Sequence, residues 1–232
     1  MLSPPVEQAA SIGILARLPV EKRRLLLGAG HSQQVDAGTL LYVAEDRPPF
    51  VALLIEGFLR VFVAAPSGRE STIRYVRPGD LLGVVAVLSG PSNTWVQSLA
   101  QSTAWMVDPQ TFTRIARADR EIAWVLAEEC AARTAALVNE IAGSAFATVR
   151  QRIAHHLMAM ARSQPEPPYL LAPITQNELA NAAGSVREVT VRELRALKDE
   201  GLVTPRRGGI ALNDPDRLER IAAEAFQSAS GT

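Results

Sequence analysis

The chain has 232 residues, with 24 Lys plus Arg against 24 Asp plus Glu and 47% apolar residues, which is enough for one large or two ordinary domains around a packed core. Zero formal net charge denies the chain an overall basic character, although a sequence-specific nucleic-acid binder needs only a basic patch. The single cysteine, Cys130, excludes an internal disulfide and any cysteine-rich zinc or iron–sulfur site.

The first residues, Met1-Leu-Ser-Pro-Pro-Val-Glu7, lack a basic region followed by an apolar run, so no signal peptide is expected. No uninterrupted apolar stretch approaches the roughly 18 residues of a membrane span. A cytoplasmic protein with no membrane partner is expected. Residues 8–28 carry a short helical pattern in Ile12, Ile14, Leu15 and Leu18, then Leu25 to Leu27. From about 33 to 108 the texture changes to short apolar runs divided by turn signals, among them Asp46-Arg-Pro-Pro49, Glu56-Gly57, Pro66-Ser-Gly68 and Pro78-Gly-Asp80. Val51–Ile55 is expected to pair with Leu59–Val63, and Ser71–Val76 with Thr94–Leu99. Many short strands at this spacing predict a sandwich or small barrel.

After Pro109 the pattern is helical to about Arg162, too long for one ordinary globular helix. Ala123, Ala127, Cys130, Thr134, Leu137 and Ile141 recur at alternating spacings of four and three. That is the spacing of a seam packed against a second copy of the same helix. Val149, Ile153, Leu157 and Met160 form the stripe of a further helical block, and Ser163–Pro168 reads as a loop. Trp95, Trp105 and Trp124 are expected in cores.

Residues 174–195 read as a helix-turn-helix. Thr175-x-x-Glu178 and Ser185-x-x-Glu188 each have the form of a capping box, with Gly184 before the second. On a helix turning about 100° per residue, Arg187, Glu188, Arg192, Arg195 and Lys198 fall within roughly 140°. Thr190, Leu194 and Leu197 lie opposite, with Val189 and Ala196. Such a helix packs one side on its domain and offers guanidinium and carboxylate groups to base edges. Residues 201–212, with Arg206-Arg-Gly-Gly209 at the turn, read as a wing hairpin. The expected DNA-contacting residues are Thr175, Gln176, Ser185, Val186, Arg187, Glu188, Arg192, Arg206 and Arg207. Of these, Arg187, Glu188 and Arg192 are assigned to bases and the two wing arginines to phosphates.

Other chemistries find no support. A metal-binding barrel needs several histidines and a carboxylate, and His31 is the only histidine before His155. A haem ligand would have to be His31 or Cys130, both better read as structural. His155 and His156 are sequence neighbours that point apart on a helix, so they do not chelate one ion. No enzyme activity, cofactor or metal is expected.

The order of barrel, long helix and winged helix-turn-helix resembles the CRP/FNR family of bacterial transcription regulators. The resemblance is carried by Leu54-Ile-Glu-Gly-Phe-Leu-Arg-Val61, by Gly68-Arg-Glu with Tyr75-Val-Arg-Pro-Gly-Asp-Leu-Leu-Gly83, and by Ile174-Thr-Gln-Asn-Glu-Leu-Ala, Gly184-Ser-Val-Arg-Glu-Val and Gly201-Leu-Val. It implies an α+β chain with three parts. These are a cyclic-nucleotide-binding-like barrel or jelly roll (1–118), a dimerisation helix (119–145) and a winged helix-turn-helix domain (146–232). It further implies a homodimer on palindromic double-stranded DNA with half-sites of the TGTGA type, contact with RNA polymerase, and a small-molecule effector of unknown identity. The pocket implied for that effector comprises Gly83, Val84, Val85, Ser92, Asn93, Thr94, Leu137 and Val138.

That pocket departs from the cAMP-responsive members. Where they place a Glu for the ribose, Val84 follows Gly83. Where they place Arg-Ser for the cyclic phosphate, Ser92-Asn93-Thr94 stands after a shorter loop. Where they place hydroxyls for adenine, Leu137 and Val138 stand. A buried phosphate without its arginine would cost several kcal/mol, so cAMP is not expected to bind in the usual way. Any effector is expected to be less charged. The alternative is a nucleotide- or small-molecule-sensing module without DNA binding, which would have no use for Arg187, Glu188 and Arg192.

Overall fold

A computed structural model describes residues 2–46, 50–68, 70–161 and 170–227. Arg47–Pro49 of one expected turn and the expected loop Ser163–Pro168 fall outside these residues. The chain forms two compact units, residues 1–63 with 74–135 and residues 64–73 with 136–232.

The first unit begins with α1 (Pro4–Ala10), a 3-10 turn (Ile14–Arg17) and α2 (Val20–Leu27). The helical pattern of residues 8–28 is therefore interrupted twice. Pro19, which has no N–H to give to a preceding turn, caps the start of α2. Eight strands follow: β1 (His31–Val35), β2 (Leu40–Tyr42), β3 (Val51–Glu56), β4 (Leu59–Ala64), β5 (Glu70–Val76), β6 (Leu81–Leu82), β7 (Trp95–Ser98) and β8 (Ser102–Val107). A short helix, α3 (Val84–Ser89), lies between β6 and β7. They form two four-stranded sheets, ordered β1-β8-β3-β6 and β2-β7-β4-β5, which is a double-sheet jelly roll.

This topology corrects both expected strand pairings. β3 pairs with β8 and β6 rather than with β4, and β4 lies between β7 and β5. The cause is the corner at Gly57 (φ 101°). A Cβ there would collide with the side chain and backbone of Ser102. The Phe58 N–H donates to Ser102 Oγ at 3.2 Å, and the Leu99 N–H to the Phe58 carbonyl at 2.8 Å. The chain thus crosses from one sheet to the other instead of folding back as a hairpin. β3 is buried on both faces. Val51 and Leu53 join a cluster with Leu15, Leu26, Phe112 and Ile122, while Ala52 and Leu54 join one with Leu59, Val76 and Met106. That explains its continuous apolar run in place of alternation.

The Trp105 indole N–H donates to the Leu27 carbonyl at 2.9 Å, and Trp95 stacks on Phe62. Trp124 departs from expectation: it is 66% exposed. The long helical region is three helices, α4 (Pro109–Ala118), α5 (Arg120–Phe146) and α6 (Val149–Ala161). Asp119 makes the first break. Its carboxylate accepts from the Glu121 and Ile122 N–H groups at 2.9 and 3.1 Å, capping the new helix start.

The second unit contains α6, β9 (Leu170–Ala172), α7 (Gln176–Ala182), α8 (Arg187–Asp199), β10 (Val203–Arg206), β11 (Gly209–Leu212) and α9 (Pro215–Gln227). The expected wing hairpin is present. It gains β9 as a third strand, giving the order β10-β11-β9. Ile153, Leu157 and Met160 of the α6 stripe are buried. No helix among the described residues is long and apolar enough to cross a membrane.

His156 on α6 is fully buried, and burial, aided by nearby His155 and Arg152, holds its pKa down to about 3 from 6.5. The folded protein keeps this imidazole neutral while the unfolded chain takes up a proton. The contribution to stability is therefore complete above about pH 6.5 and is lost as the pH falls toward 3. Urea titrations between pH 7.5 and 5 are expected to show stability falling by about 1.4 kcal/mol per pH unit below roughly 6.5 from this group. His156→Gln is expected to remove that component. An unchanged slope in the variant would disprove the assignment.

Candidate nucleic-acid interface

The α7–α8 pair is built from its turn. Thr175 Oγ1 accepts the Glu178 N–H at 3.2 Å, and the Glu178 carboxylate accepts the Thr175 N–H at 2.7 Å. The first capping box is thus formed as expected. At the other end of α7, Gly184 is left-handed (φ 56°). The Ser185 N–H donates to the Ala180 carbonyl at 2.9 Å and the Gly184 N–H to the Asn181 carbonyl at 3.1 Å. These two bonds are a Schellman closure. Arg152 on α6 adds Nε to the Ala183 carbonyl and Nη1 to the Ala147 carbonyl, both at 2.7 Å.

The expected second capping box is not formed. Val186, not Ser185, is the N-cap of α8 and makes no side-chain cap bond. The Ser185 backbone is committed to closing α7, which displaces the start of α8 by one residue. Glu188 is consequently released from a capping role, and it has no hydrogen-bond or ion-pair partner among the described residues.

Thr190, Leu194 and Leu197 are buried, while Arg187, Glu188, Val191, Arg192, Arg195 and Lys198 are exposed, as the projection predicts. Arg192 makes only a 3.6 Å ion pair with Glu193, too exposed to hold it. An open groove of about 770 Å³ lies between the start of α7, α8 and the wing. Thr175, Gln176, Val191, Arg195, Lys198 and Arg206 are among its lining residues. Arg207 is exposed at the wing tip, and Val186 is exposed beside Arg187. Of the predicted set, only Ser185 is half-buried and turned to a structural task. Arg195 and Lys198 were legible as part of the basic face, but only the groove shows that they share a wall with the wing.

The expected effector residues are less well gathered. Gly83 starts α3. Val84 is 3% exposed and packs in the core, so it offers a ligand nothing. Val85 is exposed. Ser92 Oγ and Thr94 Oγ1 are 2.7 Å apart, with Asn93 exposed between them. Leu137 and Val138 are exposed on α5. Two groups went unread in the sequence. Arg74 on β5 and Arg133 on α5 both donate to the Leu81 carbonyl, at 3.4 and 2.9 Å. Arg74 sits between Thr72 and Val76 on one face of its strand, and only the alternation of β5 could have signalled an inward arginine.

On α5, Ala123, Ala127, Thr134, Leu137 and Ile141 of the expected seam are exposed. Cys130 is the exception, half-buried against the roll's core. Ile122, Val125 and Leu126 turn the same way. The exposed arc therefore centres on Ala127, Ala131, Thr134 and Val138, with Trp124 at its edge.

A jelly roll, a long helix and a winged helix-turn-helix with an open cationic face are the parts of a DNA-binding transcription regulator. Residues 32–119 match the cyclic nucleotide-binding domain and residues 151–221 the Crp-like helix-turn-helix domain. The chain is 25% identical over 187 residues to the cAMP-activated global transcriptional regulator Vfr of Pseudomonas aeruginosa, covering 77% of this chain and 87% of that protein. It is 27% identical over 192 residues to the transcriptional regulator LdrP of Thermus thermophilus, covering 82% and 95%. The fold is shared with the crystal structure of a transcriptional regulator of the crp/fnr family from Eubacterium rectale, at a TM-score of 0.75 and 23% identity over 91% of this chain and 98% of that one. The protein belongs to the CRP/FNR family of bacterial transcription regulators.

The corrected caps make opposite forecasts for two similar residues. Thr175→Ala is expected to cost about 1 kcal/mol in urea unfolding, the usual value of an N-cap. Ser185→Ala is expected to stay within about 0.5 kcal/mol of wild type, as a surface change does. Equal losses would restore the second capping box.

Proposed function

We propose that the protein regulates transcription as a two-fold dimer on palindromic operators, with α8 in the major groove. The observation that carries this reading is the uncommitted polar face of α8 beside the wing. Arg187 and Arg192 have the fork geometry that matches guanine O6 and N7, and a released Glu188 can accept from a cytosine amino group. Thr175, Gln176, Val186, Arg195, Lys198, Arg206 and Arg207 surround that face and suit the sugar–phosphate backbone. Half-sites one helical turn apart follow from a two-fold protein. RNA polymerase and a small-molecule effector complete the proposed partners, and the cytoplasm is the proposed place of action.

Alanine at Arg187 or Arg192 is expected to cost about 1–3 kcal/mol of operator binding and to relax specificity at one base pair. Alanine at Arg206 or Arg207 is expected to weaken all sequences alike and to flatten the salt dependence. Binding-site selection with each variant checks this. If Arg187→Ala and Arg207→Ala both leave the consensus unchanged, the division of labour is wrong.

The exposed arc of α5 is the proposed dimer face. A glutamate at Val138, near its centre, would set like charges against each other across the two-fold axis. Sedimentation of Val138→Glu at micromolar concentration is expected to give a monomer, as is Leu137→Glu at the arc's margin. Dimers in both would refute this face.

The relative Vfr is described as cAMP-activated, whereas here Val84 is a core residue and no arginine stands near Asn93. Calorimetry is expected to show no micromolar cAMP binding that raises operator affinity. Such binding would sink the proposal that cAMP is not the effector.

A further inference from the structure

The exposed arc of α8 is charged except at one position. Val191 stands among Arg187, Glu188, Arg195 and Lys198. On a helix turning about 100° per residue, all four fall within about 60° of it. Val191 is 37% exposed and lines the groove between α8 and the wing. One valine in solvent needs no explanation by itself, but its surroundings here do. Valine is a poorer helix former than alanine, lysine or arginine, so helix stability does not select it at this position. Ion pairs, phosphates and base amino groups offer it nothing. A partner that covers the arc takes Val191 out of water, and only an apolar group at its middle gives that side chain something to pack on.

We propose that Val191 reads the C5-methyl group of one thymine in each half-site, a specifying role that rests on the reading of α8 as the major-groove helix. The major groove identifies thymine by its O4 acceptor and that methyl group. The charged members of the arc match hydrogen-bonding edges, an arginine fork those of guanine and a carboxylate the amino group of cytosine. None of them distinguishes a methyl group. Val191 is branched at Cβ and holds one strongly preferred χ1 rotamer in a helix. Its two methyl groups are therefore presented with little side-chain freedom left to lose on binding. The four residues from Arg187 to Val191 span about 6 Å of helix, and base pairs rise about 3.4 Å. With α8 lying along the groove, the thymine falls within about two base pairs of the one that Arg187 meets.

Deoxyuridine in place of thymidine removes the methyl group and leaves every hydrogen-bonding atom of the base where it was, so it isolates this contact. The probes are duplexes of the consensus selected by the full-length wild-type protein, with each thymine changed in turn in both half-sites. Wild-type binding is expected to weaken at one such position, within about two base pairs of the one whose preference Arg187→Ala relaxes. The loss should be about fourfold per half-site, or about fifteenfold for the symmetric pair, the factor carried by burial of one methyl group at each. Val191→Ala is expected to bind the thymine and uracil duplexes equally. Arg207→Ala should weaken both and keep the wild-type ratio. If Val191→Ala does not fold, Val191→Ser serves, because a hydroxyl brings no methyl group to the base. A wild-type protein indifferent to every deoxyuridine overturns the proposal. So does a penalty undiminished in the Val191 variant, which would mark a thymine read by another residue. A wild-type protein that selects no consensus overturns the operator reading, and this inference with it. A firm consensus without a methyl effect leaves that reading intact and removes only the role of Val191.

Discussion

Everything the DNA-binding unit presents depends on the closure of α7 at Ala183–Gly184. Four residues, 183–186, separate α7 from α8. In that space the chain must satisfy the last carbonyls of one helix and aim the next. Gly184 in the left-handed region lets two backbone donors turn back on Asn181 and Ala180. Arg152 takes the Ala183 carbonyl as well. A charged donor on a partly buried carbonyl is worth more than a neutral one, and the arginine is itself fixed by its second bond to Ala147. The direction of α8 is therefore set from behind, by α6. Its exposed face needs no ion pairs to hold it and remains open to a partner. The C-terminal end of α8 repeats the device. The Leu202 N–H donates to the Leu197 carbonyl and Gly201 to Lys198, each at 2.9 Å, with Leu197 and Leu202 both buried.

The same turn shows how far a local pattern can be trusted. Thr175-x-x-Glu178 and Ser185-x-x-Glu188 are equivalent as strings, yet one is a capping box and the other is not. The difference lies upstream. Thr175 follows an extended segment and its backbone N–H is free for Glu178. Ser185 follows a helix end whose carbonyls need its N–H first. A string records which side chains can cap. It does not record which backbone groups are already spent. The face of α8 was legible because it depends only on helical period, and a one-residue shift in the start of a helix leaves that period unchanged.

Strand existence was legible and strand pairing was not. Turn signals mark where Val51–Glu56 ends and Leu59–Ala64 begins, but a Gly between two apolar runs serves equally for a hairpin and for a corner. Contact with Ser102, far along the chain, decides between them. Long-range packing also hid the phase of α5. Ala-rich turns such as Ala131-Ala-Arg-Thr-Ala-Ala136 carry weak contrast between sides, so a seam through Cys130 and one through Ala131 fit comparably. The roll settles the matter by taking Ile122, Val125, Leu126 and Cys130 for itself. What remains exposed is a band of small and branched residues flanked by Trp124. A lone chain gains nothing from exposing such a band, whereas two helices packed together would remove it from water.

The interior arginines have the same origin in tertiary structure. Each looks ordinary in sequence: Arg74 is one polar residue in a strand, and Arg133 is one end of an i, i+4 pair with Glu129. Their meaning comes from convergence on a single backbone oxygen. The Leu81 carbonyl is an intermediate case for two cations. It accepts from both, so the arginines are held in place, while Glu129 paired with Arg133 and Asp80 at 3.8 Å from Arg74 supply the opposing charge. Two cations and two carboxylates make a structural network without net charge. A purely apolar wall would expel both side chains. The arrangement present keeps two forks oriented and ties α5 to β5 and β6 through one backbone oxygen.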